Sequence, residues 1–483
     1  VTGPALEAHA WGRRVIVRRP DTGRWVAVEP DAWTRHLRGE RTGVALALER
    51  AGLTSRAPLS ELVLCRQRTT LLLSDRPAFW APDPLRPSPG GHAWRAIAAE
   101  PADLALWTAA NDARTLAQAA AAAGIPAARA EAIARRWTAL DTQLATLRTV
   151  RPSPHDPSVW LLAGPPRPAH PRTVDQTGED GRTSLGAWHH GLGDGGTHFD
   201  RVETTVAHAL ARPHPALGGV PYGARLRTAL RARGLPIDGP VVEVGCGDGE
   251  LCRDWAPTAP WLRVDLSPEL LATQARAAPT TSGVLADGTR LPLRDHSVPF
   301  LLSNEVLADL VAVPSERPDP EVVALLAEAA CPASPPGSWH NLGAMRLVGE
   351  VARVLAPGGS AVLTEFGAPD ETPEETVQLD HPEVSIRFDV LAGLARARGL
   401  AAELVRLDEL LGVDLSARHL CRPHWEGVRA LWASRGELLA ARAWRADDVP
   451  LPERVQGLVD APLTGPGPGP LITRFWALLL RAA

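Results

Sequence analysis

The run Pro240-Val-Val-Glu243-Val-Gly245-Cys246-Gly247-Asp-Gly249-Glu places its residues best for chemistry. A short apolar strand carries an acid near its end, and glycines at alternate positions then open a helix. Glycine lets the backbone turn sharply there, and lets a ligand lie against main-chain N–H groups at the helix start. By itself such a turn also fits a dinucleotide site. Metal chemistry fits poorly. Cys65, Cys246, Cys252, Cys331 and Cys421 are scattered and form no C-x-x-C pair. That argues against a structural zinc or a disulfide framework. His189, His190 and His198 have no Cys or carboxylate at a matching spacing, so no metal site is expected.

The G-x-G-x-G spacing behind Glu243 resembles motif I of class I S-adenosylmethionine (SAM) methyltransferases. Trp261-Leu-Arg-Val-Asp265-Leu266 resembles their second strand, with an acid at its carboxyl end. Gly283-Val-Leu-Ala-Asp287-Gly288 resembles their third-strand motif, Val298–Glu305 supplies a fourth strand, and the run through Pro357-Gly-Gly to Glu365 gives a helix, a turn and a fifth strand. The resemblance implies SAM as cofactor and an α/β, Rossmann-like domain with a parallel-dominated seven-stranded sheet. It implies a cofactor site of Glu243, Gly245, Cys246, Gly247, Gly249, Asp265, Leu266, Asp287 and Gly288, joined by Asn304. Asp265 would take both ribose hydroxyls, and Asp287 would face the adenine amino group. Tyr222, the only tyrosine, would pack near the sulfonium.

Within that superfamily the chain looks like the MidA-type methyltransferases, relatives of the mitochondrial complex I assembly arginine methyltransferase. Asp265-Leu-Ser-Pro-Glu-Leu-Leu-Ala-Thr-Gln274 resembles their S-P-x-L-x-x-x-Q segment. Asn304-Glu305-Val-Leu-Ala-Asp309 resembles N-E-x-x-D-A with the acid one place late, and Glu365-Phe-Gly367 resembles D-Y-G. Val384–Asp389 and Leu407–Gly412 resemble two later blocks, but the T-x-H-V-D core is altered and no His adjoins Asp389. The arginine-specific activity of that family therefore does not carry over.

In methyl transfer the protein chiefly positions a lone pair and excludes water. A base helps when the acceptor rests protonated. Acceptor groups lie beyond the fourth and fifth strands, at the carboxyl edge of the sheet. Asn304, Glu305 and Glu365 stand there, with Asp389 and His381 on the loop that follows. The catalytic candidates are Glu305, Asn304 and Asp389. A carboxylate suits a nitrogen acceptor because it forms a short, charge-assisted bond with it. For Glu305 the alternative is a bond to the cofactor's amino group or to a helix N-terminus. Glu365 can simply cap the next element. Trp339, His340 and Asn341, in a long connection after the fourth strand, are expected to line the acceptor pocket.

The elements that position these residues divide into three regions. Residues 1–150 predict an α+β, winged-helix-like domain. Arg14–Arg18 and Trp25–Glu29 flank the turn Pro20–Gly23 as a hairpin, and Leu62–Cys65 with Thr69–Leu73 predict a second pair. The Pro-rich stretch Phe79–Gly91 breaks the pattern. Helices follow from Asp103, over Thr115–Ala123 and over Pro126–Leu147, with Gly124 in a tight turn. This helical part resembles PqqD-like peptide-recognition domains; a helical lid or dimer interface is the alternative. Residues 151–197 read as a Pro-, Gly- and His-rich linker. Residues 198–483 read as the methyltransferase domain, and the last seventy as a mostly helical extension interrupted at Thr464–Pro470.

Composition narrows the partners. The 483 residues carry a net charge of −4, and every basic residue is Arg. That balance favours neither nucleic acid nor an anionic membrane. The apolar runs Phe300–Val313 and Leu471–Leu480 are too short for a membrane span, and no secretory signal is expected, so a cytoplasmic location is expected. The preferred reading is a SAM-dependent methyltransferase acting on nitrogen of a peptide or protein. The N-terminal region would then hold a leader peptide, as in ribosomal peptide natural-product biosynthesis. The alternatives are a small-molecule O- or N-methyltransferase of secondary metabolism, with that region as lid or homodimer interface, and a SAM-sensing winged-helix regulator.

Overall fold

The computed structural model describes residues 7–148 and 205–483, apart from 12–13, 20–23, 29, 39–43, 45–47, 49–57, 67–69, 74–76, 89–90, 112–113, 140–141, 143, 256–258, 318, 379–380, 438, 441, 452–454 and 464–471. The expected linker with His189 and His190, the segment with His198, the 20–23 turn and the 464–470 interruption lie outside the described residues. The chain divides into two compact units. One comprises Val1–Pro171, Arg422–Glu437 and Val449–Val459; the other comprises Arg172–Cys421, Leu438–Asp448 and Asp460–Ala483.

The N-terminal unit mixes strands and helices. Arg14–Arg19 and Arg24–Val28 pair antiparallel as the sequence predicts, and Glu7–Trp11 joins them. The second expected pair does not form. Val63–Arg66 pairs with Ala145–Arg148, while Leu71–Leu73 pairs with Ala78–Ser88. The Pro-rich stretch is itself a strand, laddered to Gly91–Ala98 with a register shift between Pro82 and Pro87. Proline lacks a donor, and such an irregularity is where a ladder tolerates it.

Helices Pro101–Ala109, Leu116–Ala123 and Ala127–Trp137 follow. The second starts with a capping box: Thr115 Oγ1 accepts from Gln118 N at 3.2 Å, and the Gln118 side chain accepts from Thr115 N at 3.0 Å. The third ends at Trp137 rather than Leu147, because 145–148 serve as a strand. Trp107 and Trp137 pack on Phe79 with ring centroids 4.8 and 5.6 Å away, which pins helices to sheet.

The C-terminal unit is built on a sheet whose main path has seven strands. In chain order these are Val241–Val244, Trp261–Asp265, Ser282–Leu285, Val298–Asn304, Leu355–Ala368, Leu400–Arg406 and Phe475–Ala482. In space they run third, second, first, fourth, fifth, seventh, sixth. The first five pair parallel, and the seventh lies antiparallel between the fifth and sixth. A two-residue strand, Ile386–Arg387, adds to the end of the fifth. Helices Glu250–Trp255, Pro268–Ala277, Leu342–Val354 and Phe388–Ala397 make the crossovers, as parallel pairing requires.

The expected helical extension is corrected here. Among the described residues the last seventy hold one α-helix, Arg422–Ala433, and end in a strand near the middle of the sheet. Continuous apolar sequence marks a strand buried on both faces, and Ala477, Leu478 and Leu480 are fully buried. Leu478→Ala should cost about 2–5 kcal/mol of stability, read from the shift of the denaturant midpoint at unchanged slope.

Candidate active site

The first strand delivers its chain to a turn that only glycine can make. Gly245, Gly247 and Gly249 have φ of 70°, 51° and 88°. A side chain at Gly245 would also run into Val306. At Gly288 a Cβ would lie 2.7 Å from Val244 Cγ1. Gly245, Gly247 and Gly288 line a cavity. The Cys246 amide N–H donates to Asp265 Oδ2 at 3.2 Å.

Asp265 sits at the carboxyl end of the second strand. Ser267 N donates to its Oδ1 at 2.9 Å, and Gln274 Nε2 donates to its Oδ2 at 2.9 Å and to Gly247 O at 2.8 Å. Asp287 also lines the cavity, its Oδ1 accepting from Thr289 N and Oγ1 at 2.8 Å. The cavity wall brings together Glu243, Gly245, Cys246, Gly247, Asp265, Leu266, Asp287, Gly288, Asn304 and Glu305. Gly249 is in the turn but not in the wall. Glu243 is buried against Trp261, whose Nε1 donates to its Oε2 at 2.9 Å. Burial pushes its carboxyl up to about 8, outweighing that bond.

Residues 242–330 match the family model described as a methyltransferase domain. The chain carries a SAM-dependent methyltransferase domain. Similar solved structures include a SAM-dependent methyltransferase from Mesorhizobium loti, with 18% identity over 55% of this chain and 99% of that one and a TM-score of 0.28. Another is a TehB-like SAM-dependent methyltransferase from Corynebacterium glutamicum, with 18% identity over 40% and 83% and a TM-score of 0.26. No curated protein matches the chain.

The methyltransferase site departs from expectation on its acceptor side. Glu305, at φ 57°, has its carboxylate turned to a helix start: Oε2 accepts from Val206 N at 2.7 Å and Oε1 from Ala207 N at 3.2 Å. Asn304 Nδ2 also donates to Oε1 at 3.0 Å. Glu305 thus takes the alternative role of capping, here for Val206–Ala209. Asn304 is a buried junction whose Oδ1 accepts from Tyr222 Oη at 2.7 Å and Thr364 Oγ1 at 2.9 Å. Tyr222 is 1% exposed and outside the cavity wall, so it supports Asn304 instead of touching the cofactor space.

Glu365 caps the turn Leu307–Asp309, accepting from Ala308 N at 3.1 Å, and burial raises its carboxyl well above the ordinary range. Asp389 is gripped at 2.9 and 3.0 Å by Arg387 and is not part of the wall. His340 and Asn341 border a separate small cavity, and Trp339 lines neither. The His381 side chain is outside the described residues.

Residues that sequence reasoning missed complete the wall of the methyltransferase cavity. They include Thr205, His208, Asp248, Glu250, Asp309 and Arg346. His208 Nδ1 lies 3.1 Å from Asp248 Oδ2. His208, Asp248 and Glu250 offer ligand atoms within 4.8 Å of one another. Glu250, however, is paired with Arg253 and Arg442, which supply the positive charge a cation would bring. Asp248, inside the glycine turn, was a visible signal; His208 reaches the wall only through tertiary packing.

When bound, SAM would supply the electrophilic methyl group, and the glycine turn, Asp265 and Asp287 are the residues that would hold it. Asp265→Ala should weaken SAM binding at least ~100-fold, because it leaves two amide donors and Gln274 unpaired as well as losing the acid. Titration calorimetry checks this. The raised Glu243 carboxyl favours the fold at acid pH and withdraws that support as pH rises from its unfolded value near 4.5 toward about 8. Glu243→Gln should flatten the fall in stability across that window, seen in denaturant midpoints from pH 5 to pH 8.

Proposed function

We propose that the enzyme methylates nitrogen in a peptide or protein acceptor. Support comes from the charge of the cavity at the end of the fourth strand. Glu305 and Asp309 lie in that wall, and Asp309 is near enough to help raise Glu365. Arg346, in the same wall, is offset by Glu321 in a two-pronged pair, 2.7 Å from Nε to Oε1. An acidic mouth concentrates cationic molecules. A nitrogen acceptor that rests protonated matches it; a carboxylate acceptor does not. Asp309 would orient that nitrogen by a charge-assisted bond, while Glu305 keeps the covering helix in place.

The N-terminal unit supports a peptide rather than a small metabolite. In its four-stranded sheet Gly91–Ala98 is an edge strand among the described residues. An extended peptide can add to such an edge through main-chain bonds. This agrees with the resemblance of the following helices to PqqD-like domains, and it makes a leader-peptide substrate the favoured class.

The test is transfer of labelled methyl from SAM by the full chain, offered cationic peptides, small amines and small hydroxyl or carboxyl compounds. Label on peptide nitrogen is expected. Asp309→Asn should then lower kcat/KM for the peptide at least ~10-fold with SAM affinity unchanged. Label confined to hydroxyl or carboxyl oxygen would reject the reading, and label confined to small amines would remove the peptide from it.

A further inference from the structure

Residues 438–448 belong to the C-terminal unit, yet the chain on either side of them, 422–437 and 449–459, is grouped with the N-terminal unit. This strap lies behind the wall of the SAM cavity. Ala443 N donates to Ala209 O at 2.7 Å. Arg442 reaches two further points, donating to His208 O at 2.5 Å and to Glu250 Oε1 at 2.9 Å. Beyond it, Trp444 O accepts from Leu420 N at 2.6 Å, and the Arg212 guanidinium lies 4.5 Å over the Trp444 ring.

The helix that the strap touches cannot stand alone. Val206–Ala209 has four residues, far below the length at which a helix is stable in water. Its first amides are taken by Glu305, and carbonyls in its last turn are taken by Arg442 and Ala443 N. Both ends are fastened from outside, so its order follows those fastenings. Thr205, Ala207 and His208 supply part of the cavity wall, and Glu250 follows the glycine turn directly. Arg442 is thus one side chain that ties the covering helix to the helix opened by the glycine turn.

We propose that Arg442 is a positioning residue for the cofactor: it clamps the 438–448 strap and the Val206–Ala209 helix onto the glycine turn, so that cofactor binding and strap order are coupled. The inference rests on the SAM reading of the cavity. Glu250 is 8% exposed, and its other partner, Arg253, is 45% exposed. Loss of Arg442 therefore leaves a buried carboxylate served by one half-exposed arginine. Coupling of this kind is reciprocal. Whatever orders the strap tightens cofactor binding, and cofactor binding orders the strap, whose two ends continue into the segments grouped with the N-terminal unit.

Hydrogen exchange and calorimetry on the full chain with S-adenosylhomocysteine, the demethylated product, decide the matter. In the wild type this ligand should slow exchange both at 205–210 and at 442–444. Arg442→Gln should speed exchange at 205–210 before ligand is added and weaken binding at least ~10-fold, with Arg442→Lys between the two because it keeps the charge but loses the fork. Wild-type affinity in Arg442→Gln, or unchanged wild-type exchange at 442–444 on binding, overturns the proposal. Should the Gln variant fail to fold, the Lys variant and the wild-type exchange carry the same two outcomes. A wild type that binds neither SAM nor its product rejects the cofactor reading instead. Exchange of the unliganded variants at 205–210 then still decides whether Arg442 holds the helix.

Discussion

The carboxylate of Asp265 is the point on which the site depends. It is 6% exposed, and a buried charge persists only where donors surround it. Its donors come from the glycine turn, from the start of the Pro268–Ala277 helix and from Gln274 within that helix. The same carboxylate that is read as the ribose acceptor therefore also locks the two strand-to-helix turns together. On that reading cofactor recognition and loop geometry are one constraint, and the positive φ at Gly245 and Gly247 fits it, since the turn brings the Cys246 amide to this oxygen.

The other acids around the cavity show how a fold uses carboxylates without doing chemistry with them. Glu305 and Glu365 each take the orphan amides of a short helix, which a helix start leaves unsatisfied. Glu250 takes two arginines, and Glu243 is buried on an indole N–H with its proton held on by desolvation. Position at the carboxyl edge of the sheet is thus not enough to make an acid catalytic. What matters is where its lone pairs already point.

The cavity wall and the strap that fastens it come from pieces distant in sequence. Residues 205–209 precede the first strand, and 438–448 come after the sixth. Neither is a long regular element, so both depend on side-chain fastenings such as Glu305 and Arg442. Segments of this kind occupy the low-stability end of a structure, where ligand-dependent ordering is least costly. The sheet beneath is the opposite case, with Leu301, Leu363 and Leu478 fully buried on neighbouring strands.

The amino-acid sequence by itself determined the cofactor half of this protein. Glycines that must adopt left-handed φ, an acid at a strand end and apolar runs between them are local requirements, and local requirements are written in adjacent residues. Hence the glycine turn, Asp265, Asp287, Gln274 and the parallel strand series were legible. So was the helix that starts at Thr115, whose capping partners are three residues apart. The seventh strand was not, because an apolar run of that length takes its identity from the strands on either side of it. Nor were the strand made by the Pro-rich stretch and the pairing of Val63–Arg66 with Ala145–Arg148, which rest on distant partners. Tertiary structure alone decided the fate of the acceptor-side acids. Whether Glu305 faces a substrate or a helix start depends on residues 206 and 207, and only the folded chain brings them within 3.2 Å of it.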